Sequence, residues 1–200
     1  MIWIGIALYG RPTWAEEPSS EVDTPVVEIS PEQQAKGIAA FADVYRVLQH
    51  PRCLNCHPSG DAPLQHDDAR PHAMNITRAS TDGGLACSAC HQTQNSEAYG
   101  VVGGPPGAPN WHLPEKEMPL IFEGRSPSEL CQQLKNPTEN GQKTMAELYH
   151  HVAYDPLVLW GWRPGGERTV PPLTHADFAA QFQVWVDAGA PCPPTNSKTE

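Results

Sequence analysis

The stretch Cys53-Leu54-Asn55-Cys56-His57 and the stretch Cys87-Ser88-Ala89-Cys90-His91 share the pattern C-x-x-C-H. These two motifs determine which cofactor the fold is expected to bind. On one helical turn, thiols at positions i and i+3 lie on the same side, and the histidine follows at i+4. Both thiols can then add to the vinyl groups of a haem, while the histidine binds the iron as proximal ligand. The motifs predict two haem c groups, attached at Cys53 and Cys56 with His57, and at Cys87 and Cys90 with His91.

Other uses of these cysteines explain less of each motif. Two C-x-x-C pairs have the spacing of a Cys₄ zinc site, but the adjacent histidines would then have no role. A thioredoxin-like dithiol needs a βαβ pattern that the sequence lacks, and two simple disulfides would also leave the histidines idle. Haem attachment accounts for both cysteines and the histidine of each motif.

The composition favours a fold dominated by loops. Proline and glycine account for 22 and 16 of the 200 residues, and only 39% of residues are hydrophobic. Side-chain burial alone would then provide a small core. Large apolar cofactors would add to it.

Helix signals are clear in four places, whereas no strand pattern is convincing. Each helix begins at a capping residue, and the last ends at Gly189. The capping residues are Ser30, Ser126, Thr144 and Thr174. We therefore expect a mostly α, loop-rich, di-haem cytochrome c-like domain with little or no sheet.

The chain divides into one domain with short extensions. Residues 1–15 resemble a signal peptide with a truncated start, since the apolar run 2–9 is too short to span a bilayer. Residues 16–30 are interpreted as a flexible leader, 31–194 as the di-haem domain and 195–200 as a disordered tail. We expect a periplasmic or otherwise exported protein, soluble or peripherally associated, without a membrane span in the mature chain.

The net charge of −10 comes from 13 basic and 23 acidic side chains. Nucleic acids and anionic membranes attract clustered Lys and Arg, so neither is an expected partner. A positively charged protein partner fits better, although the acidic excess can also serve solubility alone.

The second axial ligand of each iron decides between electron transfer and ligand binding. His72 and Met74 lie in the loop between the motifs, and His112 and Met118 lie in the proline-rich loop after the second motif. Either loop offers both a histidine and a methionine on stiff backbone. His151 on the predicted third helix is a reserve candidate. His50 is another.

Two cysteines lie outside the motifs. Cys131 is on the predicted second helix and Cys192 follows the last helix. In an oxidising compartment we expect a disulfide between them, which closes a loop of about 60 residues and contributes about 3 to 4 kcal/mol. Two unrelated buried thiols are the alternative.

Several stretches of the chain resemble a family of small exported di-haem cytochromes, often labelled as a subunit of isoquinoline 1-oxidoreductase. The resemblance covers roughly residues 38–194 and is carried by HPRCLNCHPSGD, RPHAMN, CSACHQ, GAPNWHLP, FEGRSPSELC, DPLVLWGW and WVDAGAPCP. It implies a companion to an exported molybdenum hydroxylase, whose electrons the chain would accept. The sequence carries no molybdopterin or iron–sulfur motif, so the substrate would be oxidised elsewhere.

We therefore expect an electron-transfer protein that passes electrons from a dehydrogenase donor to a respiratory acceptor, rather than an enzyme. The alternatives are a peroxidase-like di-haem enzyme with one open haem, and a haem-based redox or gas sensor.

Overall fold

The computed structural model of the chain describes residues 29–96 and 104–195. The predicted signal peptide, most of the leader and the last five residues of the predicted tail lie outside these ranges. Seven α-helices and two very short strands are present in the described part, together with 3₁₀ turns at Ala73–Asn75 and Cys87–Ala89. They are α1 (Pro31–Leu48), α2 (Pro51–Leu54), β1 (Leu64–Gln65), β2 (Arg70–Pro71), α3 (Arg78–Asp82), α4 (Pro127–Lys135), α5 (Met145–Tyr154), α6 (Pro156–Trp160) and α7 (His175–Asp187).

The longer helices begin where the sequence signals place them. Ser30, Ser126 and Thr144 each accept a hydrogen bond from the backbone of the residue three positions on, whose side chain accepts one in return from the capping backbone. Thr174 caps α7 through the backbone N–H of Asp177. These reciprocal caps satisfy N–H groups that a helix start otherwise leaves unpaired.

The hydrophobic core lies where α1, α4, α5 and α7 meet, and the main contact is between α1 and α7. Aromatic rings fill its centre: Phe41 and Trp185 have centroids 4.8 Å apart, and Phe182 meets Trp185 edge to face at 5.2 Å. At Gly37 the chain after α7 crosses α1 closely, since an added Cβ would lie 2.6 Å from Pro191 Cγ.

Cys131 on α4 and Cys192 after α7 form a disulfide. Cys131 is fully buried in the core. The bond therefore fastens the end of the chain to the helical body.

The fold class is confirmed as mostly α and rich in loops. The only sheet in the described residues is one antiparallel pair of two-residue strands, with Leu64 opposite Pro71 and Gln65 opposite Arg70. Residues 104–126 contain neither helix nor strand. None of the described helices is long and apolar enough to cross a membrane.

Candidate functional site

Both C-x-x-C-H motifs form a single helical turn. The backbone N–H groups of Cys56 and His57 donate to the carbonyl of Cys53, both at 3.1 Å. In the second motif, the N–H groups of Cys90 and His91 donate to the Cys87 carbonyl at 3.2 and 2.9 Å. The two sites, 34 residues apart in sequence, thus share one backbone arrangement.

The segment around Leu120 fixes the orientation of the His57 ring. Its Nδ1–H donates to the Leu120 carbonyl at 2.7 Å, and the ring stacks on Phe122 with centroids 3.9 Å apart. Because a carbonyl can only accept, Nδ1 carries the proton and Nε2 keeps the lone pair. Metal-binding histidines are oriented in this way by a partner on the other nitrogen.

The segment that holds His57 is itself anchored to α1. Tyr45 donates its hydroxyl to the Arg125 carbonyl at 2.8 Å, and Gln49 donates to the Phe122 carbonyl at 3.0 Å. Phe122 closes the arrangement by donating its N–H to the carbonyl of His57 at 3.0 Å. The longest helix therefore sets the position of the first motif.

His91 has the same kind of environment in a different part of the chain. Its Nδ1–H donates to the Pro106 carbonyl at 2.7 Å, and its ring lies parallel to Trp111 with centroids 4.6 Å apart. Asn95 holds the Pro106 segment in place, since its Oδ1 accepts from the N–H of Gly107 at 3.1 Å and from Trp160 Nε1 at 2.8 Å. Both motif histidines thus present Nε2 as the free nitrogen.

Burial lowers the pKa of His57 to about 4 and also lowers the pKa of His91. In each case loss of water contact is the largest cause, outweighing the carbonyl that accepts the Nδ1 proton. Both rings are therefore neutral near pH 7, which is the form that binds a metal.

The four motif thiols are free, and burial raises the pKa of Cys53 to about 12 and that of Cys56 to about 11. A Cys87 thiolate would raise the Cys56 pKa further, so the two motifs lie close enough for their charges to interact. Neither thiol is the exposed, low-pKa thiolate of a redox dithiol.

No group of three or more His, Cys, Asp or Glu side chains in the described ranges is arranged to hold a metal ion. All four motif cysteines fall within those ranges. The two C-x-x-C pairs are thus not gathered into the Cys₄ arrangement that a structural zinc site requires.

His72 lies beside His91. The ring centroids are 5.9 Å apart, and His72 Nδ1–H donates to the Ala73 carbonyl at 2.8 Å, so that Nε2 is again the free nitrogen.

His151 and His112 both lie near His57, because a charge on either ring would lower the His57 pKa, and His151 has the larger effect. His151 is half-buried on α5 and its Nδ1 meets the Asp155 carboxylate at 3.1 Å. His112 is exposed, and its Nδ1–H donates to the Asn110 carbonyl at 2.5 Å. Both rings keep Nε2 free.

His50 has a different arrangement. Its Nδ1 accepts from the Arg52 backbone at 3.2 Å to cap α2, and its Nε2 lies 3.3 Å from the Thr169 hydroxyl. Both ring nitrogens are thus committed to local structure, which leaves no free one to bind a metal.

The two candidate methionines differ in exposure. Met74 is 82% exposed and has a positive φ of 63°, within the 3₁₀ turn that follows His72. Met118 is half-buried. Trp111 and Trp160 meet edge to face beside His91 at 4.9 Å, whereas Trp185 belongs to the core and Trp162 packs against it.

A cleft of about 570 Å³ opens beside the second motif. This volume is within the range of about 300 to 1,000 Å³ found for ligand sites. Its walls include Cys87, His91, Trp111, His112 and Arg78. The Cys87 thiol, the His91 imidazole with its free Nε2 and the Trp111 ring together form a donor set that fits haem c.

Sequence reasoning did not find the residues that position the motif histidines. The Leu120 and Pro106 carbonyls are backbone atoms and have no side-chain signature, although each lies in a proline-containing segment. Asn95 lies only four residues after His91, and this closeness was the only feature of the sequence that pointed to its role.

Comparison of the chain with protein-family models, with curated proteins and with solved structures gave no significant match.

Proposed function

We propose that the chain is a di-haem c-type cytochrome that relays single electrons. The observation that carries the proposal is the matched environment of His57 and His91. Each follows a C-x-x-C turn, donates Nδ1–H to a backbone carbonyl at 2.7 Å and stacks on an aromatic ring. A structural role for either imidazole would not require this arrangement twice, with Nε2 free in both.

The residues that would complete each iron site are His72 and His151. The His72 ring lies beside the His91 ring, with its own Nε2 free, which supports two histidine ligands at the second motif. His151 is the histidine whose charge acts most strongly on His57, and Asp155 orients its ring. His112 and Met118 are the remaining candidates for the first motif, whereas the exposure of Met74 argues against its use. Two histidines on one iron favour a lower potential than histidine with methionine.

The bound haem would supply reversible one-electron oxidation and reduction at iron. The chain holds the ligands in fixed tautomers through the Leu120 and Pro106 carbonyls, so that little rearrangement accompanies electron transfer. Phe122 and Trp111 exclude water from one face of each imidazole. Occupied axial positions would leave no site for peroxide or a gas to bind.

The partners we propose are a dehydrogenase donor, of the exported molybdenum hydroxylase type, and a respiratory acceptor in the periplasm. The acidic surface, with a net charge of −10, would steer a positively charged partner into contact.

The experiment that tests this function measures haem content and iron spin state in protein purified from a host that attaches haem c. A pyridine haemochrome assay should give two covalent haems per chain, and the Cys56→Ala and Cys90→Ala variants should each give one. Optical and electron-spin-resonance spectra should show two low-spin, six-coordinate haems.

A protein without covalent haem would refute the proposal. A high-spin haem that binds carbon monoxide readily in the unmodified protein would instead support the peroxidase-like enzyme or the sensor.

A further inference from the structure

Arg78, the first residue of α3, is a buried cation that joins two loops. Its Nε–H donates to the Pro114 carbonyl at 3.1 Å, and its Nη1–H donates to the Gly60 carbonyl at 2.9 Å. The residue is only 6% exposed. Its remaining nitrogen, Nη2, is also buried and has no hydrogen-bond partner among the residues that the structure describes.

The charge of Arg78 is not well neutralised. The carboxylate of Asp61 is 3.9 Å from Nη1, too far for a hydrogen bond, and that side chain is 43% exposed. Arg52 provides a contrast, because its equally buried guanidinium is hydrogen-bonded directly to the Asp67 carboxylate. A buried guanidinium without an anion is unfavourable, so a carboxylate that binds Arg78 would stabilise it.

The position of Arg78 indicates where that carboxylate would come from. Arg78 lines the cleft beside the second motif, together with Cys87 and His91. A haem carries two propionate carboxylates, and a guanidinium nitrogen is a strong donor to such a group.

Resting on the proposed function, we infer that Arg78 Nη2 donates a hydrogen bond to a propionate of the haem attached at Cys87 and Cys90. Arg78 would then fix the edge of that haem against the loops of Gly60 and Pro114. It would also place a positive charge beside that haem, and so raise its potential above the value it would otherwise have. Arg78 is thereby a positioning residue for the haem of the second motif.

The test is a spectroelectrochemical titration of the haem-loaded Arg78→Gln variant. Loss of the positive charge favours the oxidised haem, so the midpoint potential of the second haem should fall. The equilibrium constant for its reduction should decrease on the order of tenfold, which corresponds to ~59 mV for one electron. Assignment of the shift to the second haem uses the same titration in a Cys56→Ala background, which retains that haem alone.

The matched control is Arg46→Gln, which removes a charge from an exposed side chain on α1 and should leave both potentials unchanged. Arg78→Lys keeps the charge and serves if the glutamine variant does not fold. It should keep the potential closer to that of the unmodified protein, while resonance Raman spectra report the altered propionate hydrogen bond.

Two covalent haems with unchanged potentials and propionate modes in the Arg78 variants would overturn the inference and leave the proposed function intact. A shift confined to the haem at Cys53 and Cys56 would overturn it as well. Absence of covalent haem in the unmodified protein would instead refute the proposed function.

Discussion

His72 and His91 lie edge to face with ring centroids 5.9 Å apart, although 18 residues separate them in the chain. Each ring donates Nδ1–H to a backbone carbonyl, so both free Nε2 atoms are fixed in advance. On the proposed function, such a pair would need little adjustment to bind one iron.

The His72→Ala variant should leave the iron of the second haem with a free coordination position. One of the two haems is expected to become high-spin and to bind carbon monoxide, because its sixth ligand is lost. Optical and spin-resonance spectra measure this change. His66→Ala, at an exposed position in the same loop, is the control and should keep two low-spin haems. Unchanged spectra in His72→Ala would rule out His72 as the sixth ligand of the second haem.

The neighbouring residues His150 and His151 provide a matched pair for the first haem. His150 is exposed on α5, whereas His151 is half-buried beside Asp155. His151→Ala should convert the first haem to a high-spin form, and His150→Ala should not. The measurement is the same set of spectra, recorded in a Cys90→Ala background so that only the first haem contributes. Equal spectra for the two variants would count against His151 as ligand.

Gly107→Ala should reduce haem attachment at the second motif. A Cβ at this position would lie 2.5 Å from the Gln92 carbonyl, so the 106–108 segment would have to move away. That movement would break the bond between the Pro106 carbonyl and His91. Mass spectrometry of the haem-bearing peptides measures occupancy at each motif. Gly60→Ala, where an added Cβ has no neighbour within 4 Å, should retain full occupancy.

Gly37→Ala should destabilise the helical body. An added methyl group would lie 2.6 Å from Pro191 and 2.7 Å from Ala188. Overpacking of this kind costs about 1 to 3 kcal/mol, which exceeds the gain of about 1 kcal/mol that alanine normally gives in a helix. Denaturant unfolding of the haem-loaded protein measures the difference. A variant more stable than the parent would show that α7 and its continuation do not pack so closely on α1.

Removal of the Cys131–Cys192 disulfide should lower the free energy of unfolding by about 3 to 4 kcal/mol, since the unfolded chain would regain the freedom of a loop of 61 residues. The double variant Cys131→Ala and Cys192→Ala avoids a free thiol. Unfolding is measured with and without reductant. Reductant should destabilise the parent protein and leave the variant unaffected; an equal response of the two would contradict the role assigned to the bond.

The capping boxes of α4 and α5 should make the free energy of unfolding depend on pH in the acidic range. Hydrogen bonds from Ser126 and Thr144 lower the pKa values of Glu129 and Glu147. A depressed folded-state pKa adds stability above the unfolded value of about 4.3, and this stability is lost as the pH falls through the folded value. The double variant with glutamine at both positions should therefore lose less stability than the parent between about pH 5 and 3. Parallel curves in unfolding experiments would refute this.

Much of the fold was predictable because its signals are local. A capping residue, a partner three positions later and an apolar face lie within one segment, so α1, α4, α5 and α7 begin where the sequence indicates. The short helix α6 was missed although Asp155-Pro156 is a capping signal of the same kind, with the Asp155 carboxylate accepting from the N–H of Leu157. The Leu and Val residues that follow obscured this capping signal.

The candidate site was predictable only in part, for a physical reason. The sequence alone determined the two C-x-x-C-H turns, since the positions of thiols and imidazole on one turn follow from backbone geometry. The tertiary structure decided what surrounds them: the carbonyls of Leu120 and Pro106, the rings of Phe122 and Trp111, the approach of His72 to His91 and the burial of Arg78. These contacts join segments up to 65 residues apart through ring contacts, backbone atoms and loop paths, and no local pattern of side chains encodes them.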